Sequence, residues 1–278
     1  MNNFSSTIVR AVRKYNQIKQ VDFAPILQTT QSALSKIEAG NLELSASQWL
    51  SLCDKFTLDP RSIFSGKIEN LGERKLKVES IDHVGGFDIP DQYSYLMGSS
   101  VRTAYPILKF MRLRLGEKRF EGFLKSTGFD KDYFVIMNNP LNLKFIEHMV
   151  LFLLSEGCLS MDHLGSIIEL GQFKDIHSSL MADIAHTHSL DGATKRLLAK
   201  VKSTYELNTS YEFLGDKEYV EAKDHKFLAD LKLSAEFNEF RKRYNLSHFE
   251  GLDNFVSNGE NRFKMKSTQE GWLILKAS

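Results

Sequence analysis

The stretch from Thr30 to Gly40 constrains the fold of this chain more than any other. Thr30 is placed to cap a helix over 31–39, Leu34 and Ile37 form its buried face, and Gly40 supplies the stop. Short, sharply punctuated helices surround it. Ile8, Val12 and Tyr15 share one face of a first helix, whose other side carries Arg10, Arg13 and Lys14. A second short helix over 20–27 exposes Asp22 and buries Phe23, Ala24 and Leu27. Ser45 caps a fourth helix with Trp49, Leu50, Leu52, Cys53 and Phe56, and Asp59-Pro60 opens another with proline at its first position, leading into Ile63 and Phe64.

What the helix over 31–39 leaves exposed is Gln31, Ser32, Ser35 and Lys36, all small or polar. Such a face, presented after a tight turn, suits the DNA major groove, because glutamine pairs with adenine edges and lysine with guanine. The segment from Ile8 to Phe64 resembles the Xre or lambda-repressor-like helix-turn-helix domains. The resemblance is carried by Gln20 and Ala24, by the string Thr30-Gln31-Ser32-Ala33-Leu34-Ser35-Lys36-Ile37-Glu38-Ala39-Gly40, and by the closing stretch from Leu50 to Phe64. The departures are Gln28 where the family usually has glycine, Thr29 at the apolar position after it, and Pro25 after the alanine. Gln28 is therefore expected to take φ > 0 without glycine's freedom. The resemblance implies that Gln31, Ser32, Ser35 and Lys36 reach base edges and that Gln20 and Asn41 contact phosphate. It also implies that Glu38 ties its helix to its neighbours.

The whole chain of 278 residues is nearly neutral, with 36 basic against 35 acidic residues. That balance conceals an asymmetry. Residues 1–67 carry 8 basic and 5 acidic side chains, a net +3, which leaves −2 on the remainder. So modest a charge implies weak binding by one copy and, with it, a homodimer presenting two reading helices to double-stranded DNA.

Beyond residue 67 we expect a partly ordered connector over 68–97 and a larger α+β domain over 98–278 that dimerises and senses a small-molecule or peptide effector. In the connector, Leu76, Val78 and Ile81 alternate with charged residues as in a short strand, before Gly85-Gly86 and Ile89-Pro90-Asp91. Helices are expected from about 99 to 115 with Pro106 inside, and over 117–126, 141–156, 160–173 and 176–187. Another begins at Thr194 and leads into a strand over 203–213; Leu214-Gly215-Asp216-Lys217 then turns to a strand over 218–223. Residues 225–244 read as helix, and 262–267 with 272–275 as a terminal hairpin.

Of the 20 phenylalanines and 9 tyrosines, 16 and 8 lie beyond Lys67, enough to enclose an apolar pocket; Phe110, Phe145, Phe152 and Trp272 are its candidate lining. No catalytic motif, cofactor motif or complete metal shell is readable: His186-x-His188 has no further ligand nearby, and Gly85-Gly86 is too short for a phosphate loop. We expect no enzyme activity. Cys53 and Cys158 form no disulfide framework, and the longest apolar run, Met149 to Leu154, is far short of the roughly 20 residues of a membrane span. A cytoplasmic protein is expected. Three alternatives stay open: a protein-interaction or antitoxin-like role for the helix-turn-helix; a peptide-responsive regulator, since the length and layout resemble those of the Rgg-like quorum regulators; and a small-molecule or haem-binding sensor whose main output is not transcription.

Overall fold

A computed structural model describes residues 4–71, 79–160 and 189–277, together with Ile167, Ile184, His186 and Thr187. The chain begins with α1 (Phe4–Tyr15), α2 (Gln20–Phe23) running into a 3-10 turn (Ala24–Leu27), α3 (Gln31–Glu38), α4 (Ala46–Phe56) and α5 (Pro60–Phe64). Their ends follow from local chemistry. Thr30 Oγ1 accepts the Ala33 N–H at the start of α3. Ser45 and Gln48 form a reciprocal capping box on α4, and Asp59 caps α5 ahead of Pro60. At the end of α3, Gly40 takes φ 81°, and Asn41 N–H reaches back to the Lys36 carbonyl at 2.8 Å. Gln28 closes the turn before α3 in the left-handed region, φ 49°, as the missing glycine requires.

These helices do not end in a separate core. Ile8, Leu34, Ile37 and Leu52 belong to one continuous buried cluster that runs on through Ile68, Phe110, Tyr133, Phe145 and Phe240. Ile68 forms a parallel bridge with Ile136, donating to the Val135 carbonyl at 2.7 Å and accepting from Met137 at 2.9 Å. A minimal hairpin, β1 (His83–Val84) with β2 (Phe87–Asp88), turns at Gly85-Gly86 against the end of α1. A Cβ on Gly85 would lie 2.3 Å from the Tyr15 carbonyl oxygen, so the pair serves close backbone approach. The expected strand at Leu76 and Val78 lies outside the described residues.

The chain continues through β3 (Ser99–Ser100), α6 (Val101–Leu115), α7 (Glu117–Thr127), a 3-10 turn over Lys131–Val135, β4 (Pro140–Leu141) and α8 (Leu143–Ser155). Pro106 stands inside α6 in its second turn, where it withholds one helical N–H. Most of the expected helices over 160–173 and 176–187 lies outside the described residues.

A second buried cluster forms where α9 (Leu190–Lys200) and the last half of α10 (Ala235–Ser257) cover a four-stranded antiparallel sheet. Its strands are β5 (Thr209–Phe213), β6 (Glu218–Asp224), β7 (Arg262–Ser267) and β8 (Gly271–Ala277), in the order β5-β6-β8-β7. Both expected hairpins are present, with Thr209 opposite Asp224 and Met265 opposite Ile274. The fold is therefore mixed: a helical amino-terminal region and a small antiparallel sheet near the carboxy end.

Several boundaries differ from expectation, and α9 begins at Leu190 and not at Thr194. Residues 201–205 prolong α9 as a π turn, so the strand begins at Thr209 and not at 203. The helix expected over 225–244 divides into a 3-10 turn, Lys226–Leu231, and α10. Lys232 takes φ 47° between them, and the Ser234 hydroxyl restarts the helix by accepting the Phe237 N–H. α10 then runs 23 residues, with Phe237, Phe240 and Tyr244 in the first core and Phe249 and Leu252 in the second.

Candidate functional site

α3 places Leu34 and Ile37 in the core and leaves Gln31, Ser32, Ser35 and Lys36 exposed; Asn41, just past its end, is exposed too. Gln20 is half-buried at the start of α2. A chain of side-chain hydrogen bonds joins the two helices. Arg13 on α1 donates to both oxygens of buried Glu38, at 2.5 and 3.0 Å. Gln20 Nε2 donates to Glu38 Oε2 at 2.8 Å, and Gln31 Nε2 donates to Gln20 Oε1 at 3.1 Å. Glu38 thus ties α3 to α1 and α2, and the Gln31 amide is oriented by Gln20.

The basic side of α1 is not free surface. Arg10 makes a two-pronged pair with Asp132, Nε to Oδ2 at 2.8 Å and Nη2 to Oδ1 at 2.9 Å, and also donates to the Glu38 carbonyl. Lys14 Nζ lies 2.5 Å from Asp130 and 3.0 Å from Asp132. The hydrogen bond that Arg10 donates to Asp132 raises the Arg10 pKa; burial alone would lower that of Lys14, but Asp130 and Asp132 outweigh it. Lys67 is buried with its ammonium 5.3 Å from the Tyr105 ring centre. Lys19, Lys36, Lys55 and Arg61 are the basic side chains before residue 68 that stay exposed.

A cavity of about 100 Å³ lies where the two cores meet, walled by α6, α8, α9, the π turn, β5 and α10. Its polar groups are paired with one another or with residues just outside the lining. Arg241 binds Asp224 at 2.8 Å and Thr209 at 3.0 Å, and Arg102 pairs with Glu69. Tyr211 donates to Asn245 Oδ1 at 3.0 Å. The buried Glu206 carboxylate accepts from the Ser99 hydroxyl at 2.7 Å, from Asn208 N–H at 2.9 Å and from the Asn208 amide. Burial pushes its pKa up to about 7 against those donors and Arg241. Burial pushes that of His248 down to about 4, so the ring faces the cavity uncharged at neutral pH.

None of the four aromatic residues expected to line a pocket lines this one. Phe110 and Phe145 are at most 1% exposed, and Phe145 packs against Phe123, Phe129 and Phe134 as interior filling. Phe152 packs on Phe123. Trp272 lies in the second core with the Arg241 guanidinium 5.7 Å from its ring. The residues that do line it, Tyr211, Glu206, Arg241 and Asn245 among them, come from elements far apart in sequence. The one local signal is the spacing Phe237, Phe240, Arg241, Tyr244, His248, an aromatic helix face with polar residues inside it.

His188, the second member of the His186-x-His188 pair, lies outside the described residues. Among the described residues no helix is long and apolar enough to cross a membrane. No protein-family model matches the chain, and neither does any curated protein or solved structure.

Proposed function

We propose that this chain is a sequence-specific transcription regulator that binds double-stranded DNA as a homodimer, in the manner of Xre or lambda-repressor-like helix-turn-helix proteins. In this reading α3 enters the major groove. The observation that carries it is the hydrogen-bond relay from Arg13 through Glu38 and Gln20 to Gln31. The relay uses one N–H of the Gln31 amide and leaves its other N–H and its carbonyl for the N7 and N6 positions of an adenine. Gln20 keeps one N–H for a phosphate. Ser32, Ser35 and Lys36 complete the reading face, and Asn41 stands at the backbone.

α3 is fixed to α1, and α1 is fixed by Asp132 to the body of the chain. A ligand held by the carboxy-terminal part would thus act by changing how two whole chains are set apart, which alters the spacing of the two α3 helices. Selection from random duplex DNA with the full chain at moderate salt should enrich a pseudo-palindrome with half-sites about one helical turn apart. Replacing Gln31 and Lys36 together by alanine should abolish the preference and leave the circular dichroism spectrum intact. Failure to enrich any sequence refutes the proposal.

A second reading, protein contact through the same region, is favoured by the exposure of Val21 at 60%, Leu50 at 60% and Phe64 at 65%. A stoichiometric partner that co-purifies with the chain in the absence of DNA retention would decide for it.

A further inference from the structure

We infer that the cavity between the two cores is a binding site for a small uncharged amphiphile, a short alkyl chain ending in a hydroxyl or amide that hydrogen-bonds to the Tyr211–Asn245 pair. The inference rests on the reading that the carboxy-terminal part takes a ligand, and does not depend on DNA binding.

Three observations specify the class. Size comes first. An apolar cavity of about 150 Å³ is enough for benzene, so the space here, about 100 Å³, takes about four to five non-hydrogen atoms. The cavity is not sealed, which gives such a molecule a way in.

Charge comes second. Each cation at the wall already has its anion: Arg241 has Asp224, and Arg102 has Glu69. Glu206 is an acceptor for Ser99 and Asn208 and so adds a further negative, not positive, group to the wall. His248 is held neutral by burial. A carboxylate ligand would find no unpaired cation at the wall, and among Leu197, Leu198, Phe237, Phe240 and Phe249 its desolvation would go uncompensated.

Hydrogen-bonding capacity comes third. Tyr211 and Asn245 meet across the wall from β5 and α10, with the tyrosine hydroxyl donating to the amide oxygen. Asn245 Nδ2 donates to the Arg241 carbonyl at 2.9 Å. That leaves the Tyr211 oxygen an acceptor and the Asn245 amide one further N–H and one lone pair. One neutral group that both donates and accepts satisfies the pair, and an apolar tail fills the rest.

The test uses the full chain with isoleucine and leucine methyl groups labelled for NMR, titrated with butan-1-ol and butyrate at equal millimolar concentrations. Saturable shifts confined to Ile107, Leu143, Ile146, Leu197 and Leu198 are expected with the alcohol and absent with butyrate. Tyr211→Phe should weaken the alcohol about fivefold, the loss expected for one neutral hydrogen bond. Leu197→Trp, which fills the space, should abolish the shifts. Two results overturn the inference on the unmodified chain: no saturable response to butan-1-ol, or an equal response to butyrate. DNA selection that fails while butan-1-ol binds would remove the regulator and leave this site; selection that succeeds without ligand binding would do the reverse.

Discussion

Replacing Asp132 by alanine tests how the helical amino-terminal region is held. Asp132 is 1% exposed and meets two cations on α1, Arg10 at 19% exposure and Lys14 at 30%. Breaking a fully buried pair costs about 3–5 kcal/mol because the partner stays charged in a dry site. Arg10 keeps some water, and Lys14 keeps Asp130, so the expected loss is toward the lower limit, about 3 kcal/mol. For a chain of this size that is a fall in Tm of about 6–12 °C.

The chain's two tryptophans let the effect be placed. Trp49 packs between Phe4 and Phe64 and reports on the amino-terminal helices, while Trp272 reports on the second core. In a Trp272→Phe background, urea unfolding followed by fluorescence should show the Trp49 midpoint lowered by Asp132→Ala. Arg10→Met added to Asp132→Ala should cost about 2 kcal/mol less than the sum of the two, the coupling of a charged pair in direct contact. A change below about 0.5 kcal/mol, or coupling near zero, would show that the pair does not hold α1 in place.

Gln28→Gly should raise stability by about 0.5–1 kcal/mol in the same unfolding assay, since a left-handed residue gives up its Cβ penalty, whereas Gln28→Val should lower it. Glu206 and His248 should oppose one another in pH. With its folded pKa raised to about 7, Glu206 favours folding fully below about pH 4.5, and this is lost as pH rises to 7; with its pKa lowered to about 4, His248 costs stability as pH falls from about 6.5 to 4. Each effect is on the order of 3 kcal/mol, so stability should be flat between about pH 4.5 and 6.5, Glu206→Gln should leave a curve that rises with pH, and His248→Phe one that falls. If DNA is bound through the exposed Lys19, Lys36, Lys55 and Arg61, the slope of log K against log salt should be no steeper than about −3.6 per protomer, and a slope of about −6.3 would mean that α1's three cations leave their carboxylates as well.

The readable part of this fold is the part written in short-range chemistry. Thr30, Ser45 and Asp59 each serve a backbone N–H two or three residues ahead, and Gly40 sits where its own φ is needed, so sequence spacing alone places the ends of α3, α4 and α5. The terminal hairpin is legible for the same reason, since Phe263 and Met265 turn inward between outward Arg262, Lys264 and Lys266. Charge is not local in this sense. The +3 of the first 67 residues looks like an electrostatic footprint, yet Arg10 and Lys14 find their carboxylates more than a hundred residues away, at Asp130 and Asp132.

The cavity escaped for a related reason. Its wall joins Arg102 on α6 to Phe249 on α10, and no spacing encodes that meeting, whereas the clustered phenylalanines that drew attention only fill the interior. Neutralisation of α1 bears on function as well as on legibility. It removes three cations that a purely electrostatic binder would use and turns them into the clamps that set the position of α3. Under the proposed DNA-binding reading, recognition would rest on the fixed geometry of Gln31 and its neighbours, and the affinity that charge does not supply would come from a second copy held at the right distance.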